Sequence, residues 1–215
     1  MKALNLRKSY LVGLAILALA VTAIFINTSG LSAQSSEDEY HTLLGYHGYQ
    51  SPGGVIFESA STESISANVE EKYLDRKGLA TRELNVRGMA GRGYSEGLGE
   101  TMYWLDKSRP VKGSVVRAKT PGAEYPAVHE MHFHLLLVSD IFPGKTLRSI
   151  NPAIMVNNNA TSFPPKPGAR YQLKNVVELE DVENPGEVMF RIVSNRNQII
   201  GAGRLPLDPA MEPQR

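Results

Sequence analysis

The sequence predicts an all-β protein, an antiparallel β-sandwich of immunoglobulin-like size or a barrel, preceded by an N-terminal signal segment. Three observations carry this. Short runs rich in β-branched and aromatic residues recur along the chain. Proline and glycine, 13 and 19 of the 215 residues, punctuate those runs. No apolar segment of helical period alternates with them, which disfavours a parallel βαβ sheet.

The elements follow in order. Residues 1–33 read as a signal peptide or a signal anchor: Lys2, Arg7 and Lys8 precede an uncharged apolar run from Tyr10 to Ile26. A basic start, an apolar middle and a small-residue exit describe a secretory signal, and Leu31-Ser32-Ala33 is an acceptable cleavage site. Retention is the rival, because a run of this length lies at the short edge of the roughly 17–25 residues that cross a bilayer. Residues 34–53 are polar and glycine-rich and read as a flexible lead-in. Residues 54–204 read as a single β-rich domain. Residues 205–215, with Pro206, Pro209 and Pro213, read as a flexible C-terminal tail.

Within 54–204 the expected strands are "VIFESA", "TMYWL", "GSVVRAK", "MHFHLLLV", "AIMV", "VVELE", "EVMFRIV" and "QIIGAG". Stretches such as "TPGAEYP", "FPGK" and "ENPG" separate them. Residues 62–77 admit two readings. Ile65, Val69 and Tyr73 stand at helical spacing, but Ile65, Ala67, Val69 and Tyr73 also alternate as a strand, and "DRKG" makes a hairpin turn. The β-rich surroundings favour the hairpin.

Charge and cysteine content narrow the function. The chain has no cysteine, so an exported domain of this kind holds together by its core, without disulfides. Removing Lys2, Arg7 and Lys8 from the 23 basic residues leaves 20 against 22 acidic ones, a net charge of −2. The basic residues are scattered, which gives nucleic acid no footprint. A membrane would be engaged only through an uncleaved anchor. The expected location is the periplasm, envelope or extracellular space.

Three of the five histidines fall in "HEMHFH", residues 129–134. A zinc-peptidase helix needs histidines four apart, and the residue four after His129 is Phe133. On a strand, Glu130, His132 and His134 share one face, while Met131, Phe133, Leu135 and Leu137 share an apolar one that should meet a core. Two histidines at i and i+2 can chelate a divalent metal such as zinc or iron, with Glu130 as third ligand. The further ligands are missing, since no histidine follows His134. The preferred reading is a strand whose polar face carries histidines toward solvent.

"GYSEG", Gly93 to Gly97, matches the nucleophile-elbow pattern, which requires a strained strand-to-helix turn in a parallel sheet. The glycines read better as a loop or bulged edge needing positive φ. Trp104 reads as core packing, and Glu178 and Glu180 as a solvated strand face. With no complete catalytic constellation, the leading expectation is an exported, non-catalytic binding or structural module without a cofactor. Its partner would be an unknown protein or a small ligand. The alternative is a metal-binding protein or metal-dependent enzyme on Glu130, His132 and His134; third comes a carrier enclosing an apolar ligand.

Overall fold

The computed structural model describes residues 40–202. They form twelve antiparallel strands, with no helix among the described residues. The strands are β1 (Tyr40–Gln50), β2 (Ile56–Leu74), β3 (Ala80–Ser95), β4 (Gly99–Leu105), β5 (Val115–Ala118) and β6 (Ala127–Phe133). They continue as β7 (Leu135–Ser139), β8 (Leu147–Ser149), β9 (Ala153–Ala160), β10 (Arg170–Leu173), β11 (Val177–Asp181) and β12 (Val188–Ala202).

Eight of these strands are halves of four interrupted ones. β3 pairs with β4 through Ala90–Ser95 and with β5 through Thr81–Glu83. β7 then follows β4 and β6 follows β5; β8 follows β7 and β9 follows β6. β11 and β10 both lead into β12, which pairs with β1 from His41↔Ala202 to Gln50↔Arg191. The sheet therefore closes on itself as an eight-stave meander barrel, and closure removes the exposed edges of an open sheet. Of the two expected architectures, sandwich and barrel, the chain adopts the barrel.

The four interruptions lie side by side around the waist, where side chains and single backbone bonds replace the missing ladder. Asp106 N–H donates to the His134 carbonyl at 2.9 Å, and Leu135 N–H to Ser149 Oγ at 3.0 Å. Arg109 donates to the Ser149 and Ile150 carbonyls. Asn151 Nδ2 donates to the Val176 carbonyl, and Ile154 N–H to Asn175 Oδ1. These bonds give backbone groups at the interruptions new partners, as buried peptide groups require.

Residues 62–77 form the rest of β2 and the start of a turn, so the hairpin reading holds. Gly78 N–H donates to the Asp75 carbonyl, Asp75 Oδ1 accepts from Lys77 and Leu79 N–H, and Gly78 takes φ +72°. Positive φ is cheap for glycine, which is why the turn ends there.

The inward face is apolar. Leu43, Tyr49, Leu137, Leu147, Leu179, Phe190 and Ile199 are each 1 % exposed or less and belong to one core. Outward rows run Arg196–Tyr46–Ala60–Tyr94 and Gln198–Leu44–Thr62–Arg92 across β12, β1, β2 and β3. A charged and mixed exterior around an apolar interior is the reverse of a membrane-spanning barrel.

Several expectations are corrected. The lead-in assigned to 34–53 contains β1, a full stave, so the barrel begins at Tyr40 rather than at 54. The stretch looked mobile because Gly45 and Gly48 dilute its apolar parity, yet Leu43 and Tyr49 are almost completely buried. "EVMFRIV" and "QIIGAG" merge into β12, and "MHFHLLLV" breaks at His134. The glycines at 88, 91 and 93 lie inside β3 without positive φ, and of that run only Gly99, after the turn that follows, takes the expected positive φ, +65°. Tyr103, not Trp104, is the core-facing member of "TMYWL", and Glu180 is buried against Arg148 rather than solvated. The signal segment at 1–33 and the tail at 205–215 lie outside the described residues.

Candidate functional site

Inside the barrel, four staves bring polar side chains to one point. His47 comes from β1, Ser61 and Glu63 from β2, Tyr103 from β4 and Asn197 from β12. His47, Ser61, Glu63, Tyr103 and Asn197 are each 5 % exposed or less. His47 Nε2 lies 2.6 Å from Glu63 Oε1. Tyr103 OH donates to Ser61 Oγ at 3.1 Å, Ser61 Oγ donates to Glu63 Oε1 at 3.1 Å, and Asn197 Nδ2 donates to Glu63 Oε2 at 2.8 Å.

Two glycines make this possible. In register, Gly45 faces Ser61 on one side and Asn197 on the other, while Gly91 faces Glu63 and Tyr103. A Cβ on Gly45 would overlap Glu63 Oε1, and one on Gly91 would run into the Tyr103 ring. Leaving both positions bare lets large polar side chains lean across the neighbouring strand.

Burial by itself would raise the Glu63 carboxyl. The charge interaction with His47 and the hydrogen bonds from His47, Tyr103 and Ser61 outweigh it and hold the group below its ordinary value. Burial first, and then the Glu63 charge, push both Tyr49 and Tyr103 upward, so both remain protonated phenols. An ionised Glu63 accepts only, which puts the His47 proton on Nε2. His47 Nδ1 is left without a protein partner, as are Asn195 Oδ1 and Asn197 Oδ1.

His47, Glu63, Tyr103 and Asn195 line a cavity whose remaining wall includes Met89, Phe133, Leu135, Met155, Val177 and Ile192. Its free room is about 20 Å³, enough for one water-sized group. Outside, a groove of about 500 Å³ runs over β1, β12, β10 and β9, lined by Tyr46, Asn157, Arg170, Tyr171, Arg196 and Asn197 among others. β9 and β10 pair only through Val156↔Gln172 and Met155↔Leu173, so their other ends part beneath this groove. Asn197 faces the groove and also holds Glu63, which links the exterior to the cluster.

Deeper toward that parting, His129 is 1 % exposed and its Nδ1 lies 2.8 Å from Tyr171 OH. Burial, with the charge of His41 adding to it, pushes His129 down to about 3, so the imidazole is neutral there.

The residues expected as metal ligands are not brought together. Glu130 and His132 face outward, with His132 Nε2 at 3.3 Å from Glu130 Oε2 and Lys174 Nζ at 2.8 Å from Glu130 Oε1. His134 does not join them. It occupies the break between β6 and β7, where Ser149 Oγ lies 2.8 Å from its Nδ1. Burial and Arg109 lower its pKa. Among the described residues, no three His, Asp or Glu side chains stand close enough to hold one ion.

Sequence reasoning passed over His47 and Glu63 as a pair. The available signal was parity. Gly45, Ser59, Ser61, Gly91 and Gly93 are small residues at inward positions, and they surround one acid and one imidazole.

Fold and site together define a closed antiparallel barrel with a polar cluster set into an apolar interior. No family model and no curated protein matches the chain. Among solved structures it is similar to DynF from the dynemicin biosynthesis pathway of Micromonospora chersina, with a TM-score of 0.63 and 19 % identity over 80 % of this chain and 82 % of that one. A likeness at that identity speaks to the fold alone.

Proposed function

We propose that the protein is an exported binding module that takes a small, largely apolar molecule into its barrel and meets that molecule's polar group with the His47–Glu63 cluster. The observation that carries this reading is the cost of the cluster. A buried carboxylate–imidazole pair contributes less to stability than well-packed apolar residues of similar volume. Here it sits in an otherwise apolar wall, with unpartnered polar atoms on residues that line the cavity. Perturbed ionisable groups at a concavity identify a candidate functional site.

The groove over β9 and β10 supports a route inward. Met89 and Met155 support adaptability, because unbranched thioether side chains change rotamer readily and fill irregular space. Organic extraction of protein purified from its native compartment, followed by mass spectrometry, tests the proposal. One small apolar compound at about one per chain is expected. Clean extracts, together with no saturable binding of small aryl probes, would sink it.

Export rests on the basic start, apolar run and small-residue exit of residues 1–33. Cell fractionation with intact-mass measurement checks it: the mature chain should begin near Gln34 and lie outside the cytoplasm. The rival reading, a metal-dependent enzyme on Glu130, His132 and His134, has less support, because Glu130 is engaged by Lys174 and His134 by Ser149.

A further inference from the structure

The cluster also bears on which polar group the interior accepts. We infer that the barrel selects ligands headed by a neutral hydroxyl, such as phenols and alcohols, and rejects carboxylates of the same shape. This rests on the binding reading above and extends it to the chemical class of the ligand.

The argument starts from charge. No lysine or arginine lines the cavity, and its one carboxylate is Glu63. The only group there able to carry positive charge is the His47 imidazole, and its Nε2 is already 2.6 Å from Glu63 Oε1. The cluster is therefore neutral or carries one negative charge, whichever protonation state His47 adopts. A second carboxylate entering this site would lose its hydration and find no cation to compensate it.

Hydrogen bonding then narrows the choice. Two residues of the wall carry buried polar atoms without a partner, His47 at Nδ1 and Asn195 at Oδ1. As drawn, the amide oxygen accepts, while Nδ1 accepts when His47 is neutral and donates when it is an imidazolium. A hydroxyl has one proton to give and lone pairs to receive, so it satisfies either state. It can donate to Asn195 Oδ1 while accepting from Nδ1–H, or donate to Nδ1 directly. A carboxylate can only accept, so it makes no bond to Asn195 Oδ1 or to a neutral Nδ1, and Glu63 has already taken Nε2 of His47, Ser61 Oγ and Asn197 Nδ2.

The cavity has little free room, so the ligand's body must displace side chains. Met89 and Met155 are the unbranched side chains of the wall, the kind that repacks most readily, and Phe133 adds an aromatic ring to the lining.

A matched series separates the head from the body: 4-methylphenol, p-xylene and 4-methylbenzoate, titrated into the mature protein and followed by NMR chemical-shift changes. The expected order is 4-methylphenol first, p-xylene several-fold weaker, and 4-methylbenzoate about tenfold or more weaker than the phenol. Glu63→Gln, which keeps the shape and removes the charge, should narrow the gap between the phenol and the benzoate by about tenfold. His47→Phe should bring the phenol down to the level of p-xylene. If p-xylene and the phenol bind equally, or the benzoate binds best, the hydroxyl inference fails while the binding reading stands. If none of the three saturates a site in the wild-type protein, both fail.

Discussion

Two carboxylate–histidine pairs among the described residues, one inside the barrel and one outside, differ in nearly everything except composition. Glu63 and His47 meet at 2.6 Å inside, with side chains 5 % and 3 % exposed. Glu130 and His132 meet at 3.3 Å outside, at 21 % and 19 %. The outer pair has Lys174 and solvent to share its charge. The inner one has only the hydrogen bonds that β1, β2, β4 and β12 supply. A conspicuous motif, Glu-x-His on one strand, turns out to be the weaker interaction. Proximity in sequence secures contact; burial decides what the contact is worth.

The sharpest way to break this contrast is to invert the two faces of β6. Phe133→Asp should cost at least about 3 kcal/mol or prevent folding, because it places an unpaired carboxylate in the core. His132→Ala should cost about 1 kcal/mol or less. Urea melts of both variants give the comparison, and equal costs would mean that the faces have been exchanged.

Next in size is the pair itself. Glu63→Ala leaves the partners of a buried charge without their acceptor and should cost about 3–5 kcal/mol, whereas Glu130→Ala should cost less than about 1 kcal/mol and lose even that in high salt. The same melts at low and high ionic strength decide.

Acid should separate the groups further. The folded pKa of His129 lies at about 3 against an ordinary 6.5, so the unfolded chain binds the extra proton between those values. Stability should fall as pH drops through that window, by roughly 1 kcal/mol per pH unit, and His129→Gln should flatten the slope. Glu63 is depressed below 4.5, so its contribution is present above that value and lost only as pH falls beneath it. Acid titration of stability in wild type and variant reads both windows.

The smallest effect concerns the outer pair and metal. Zinc or iron(II) added to metal-free protein should show no sub-micromolar site in calorimetry, since Glu130, His132 and His134 do not converge and a zinc site takes three or four protein ligands. A tight site lost in both His132→Ala and His134→Ala would reverse this.

The β-rich class, the turn at Asp75–Gly78 and the inward face of Met131, Phe133, Leu135 and Leu137 were legible because each follows from residues close in sequence. Closure was not. It depends on β1 pairing with β12, partners at opposite ends of the described chain, and nothing local in "YHTLLGYHGYQ" declares that partner. The inner site was hidden for the same reason: Asn197 reaches Glu63 across 134 positions. Small residues at inward parity were the one local trace. They read as loop formers because glycine's lack of a side chain can serve conformation or space, and only neighbouring strands tell which.

The side-chain belt at the waist carries a mechanical consequence. A continuous hydrogen-bond ladder transmits fraying from one end of a stave to the other, since each lost rung weakens the next. Here four of eight staves are spliced near Asp106, His134, Asn151 and Asn175, and the splices stand next to one another. β9 and β10 part at the groove end, whereas the other ends of the spliced staves pair continuously as β4, β7, β8 and β11. The splices thus act as a firebreak in the hydrogen bonding, dividing four staves into two separate ladders, β5–β6–β9–β10 at the groove end and β4–β7–β8–β11 at the other.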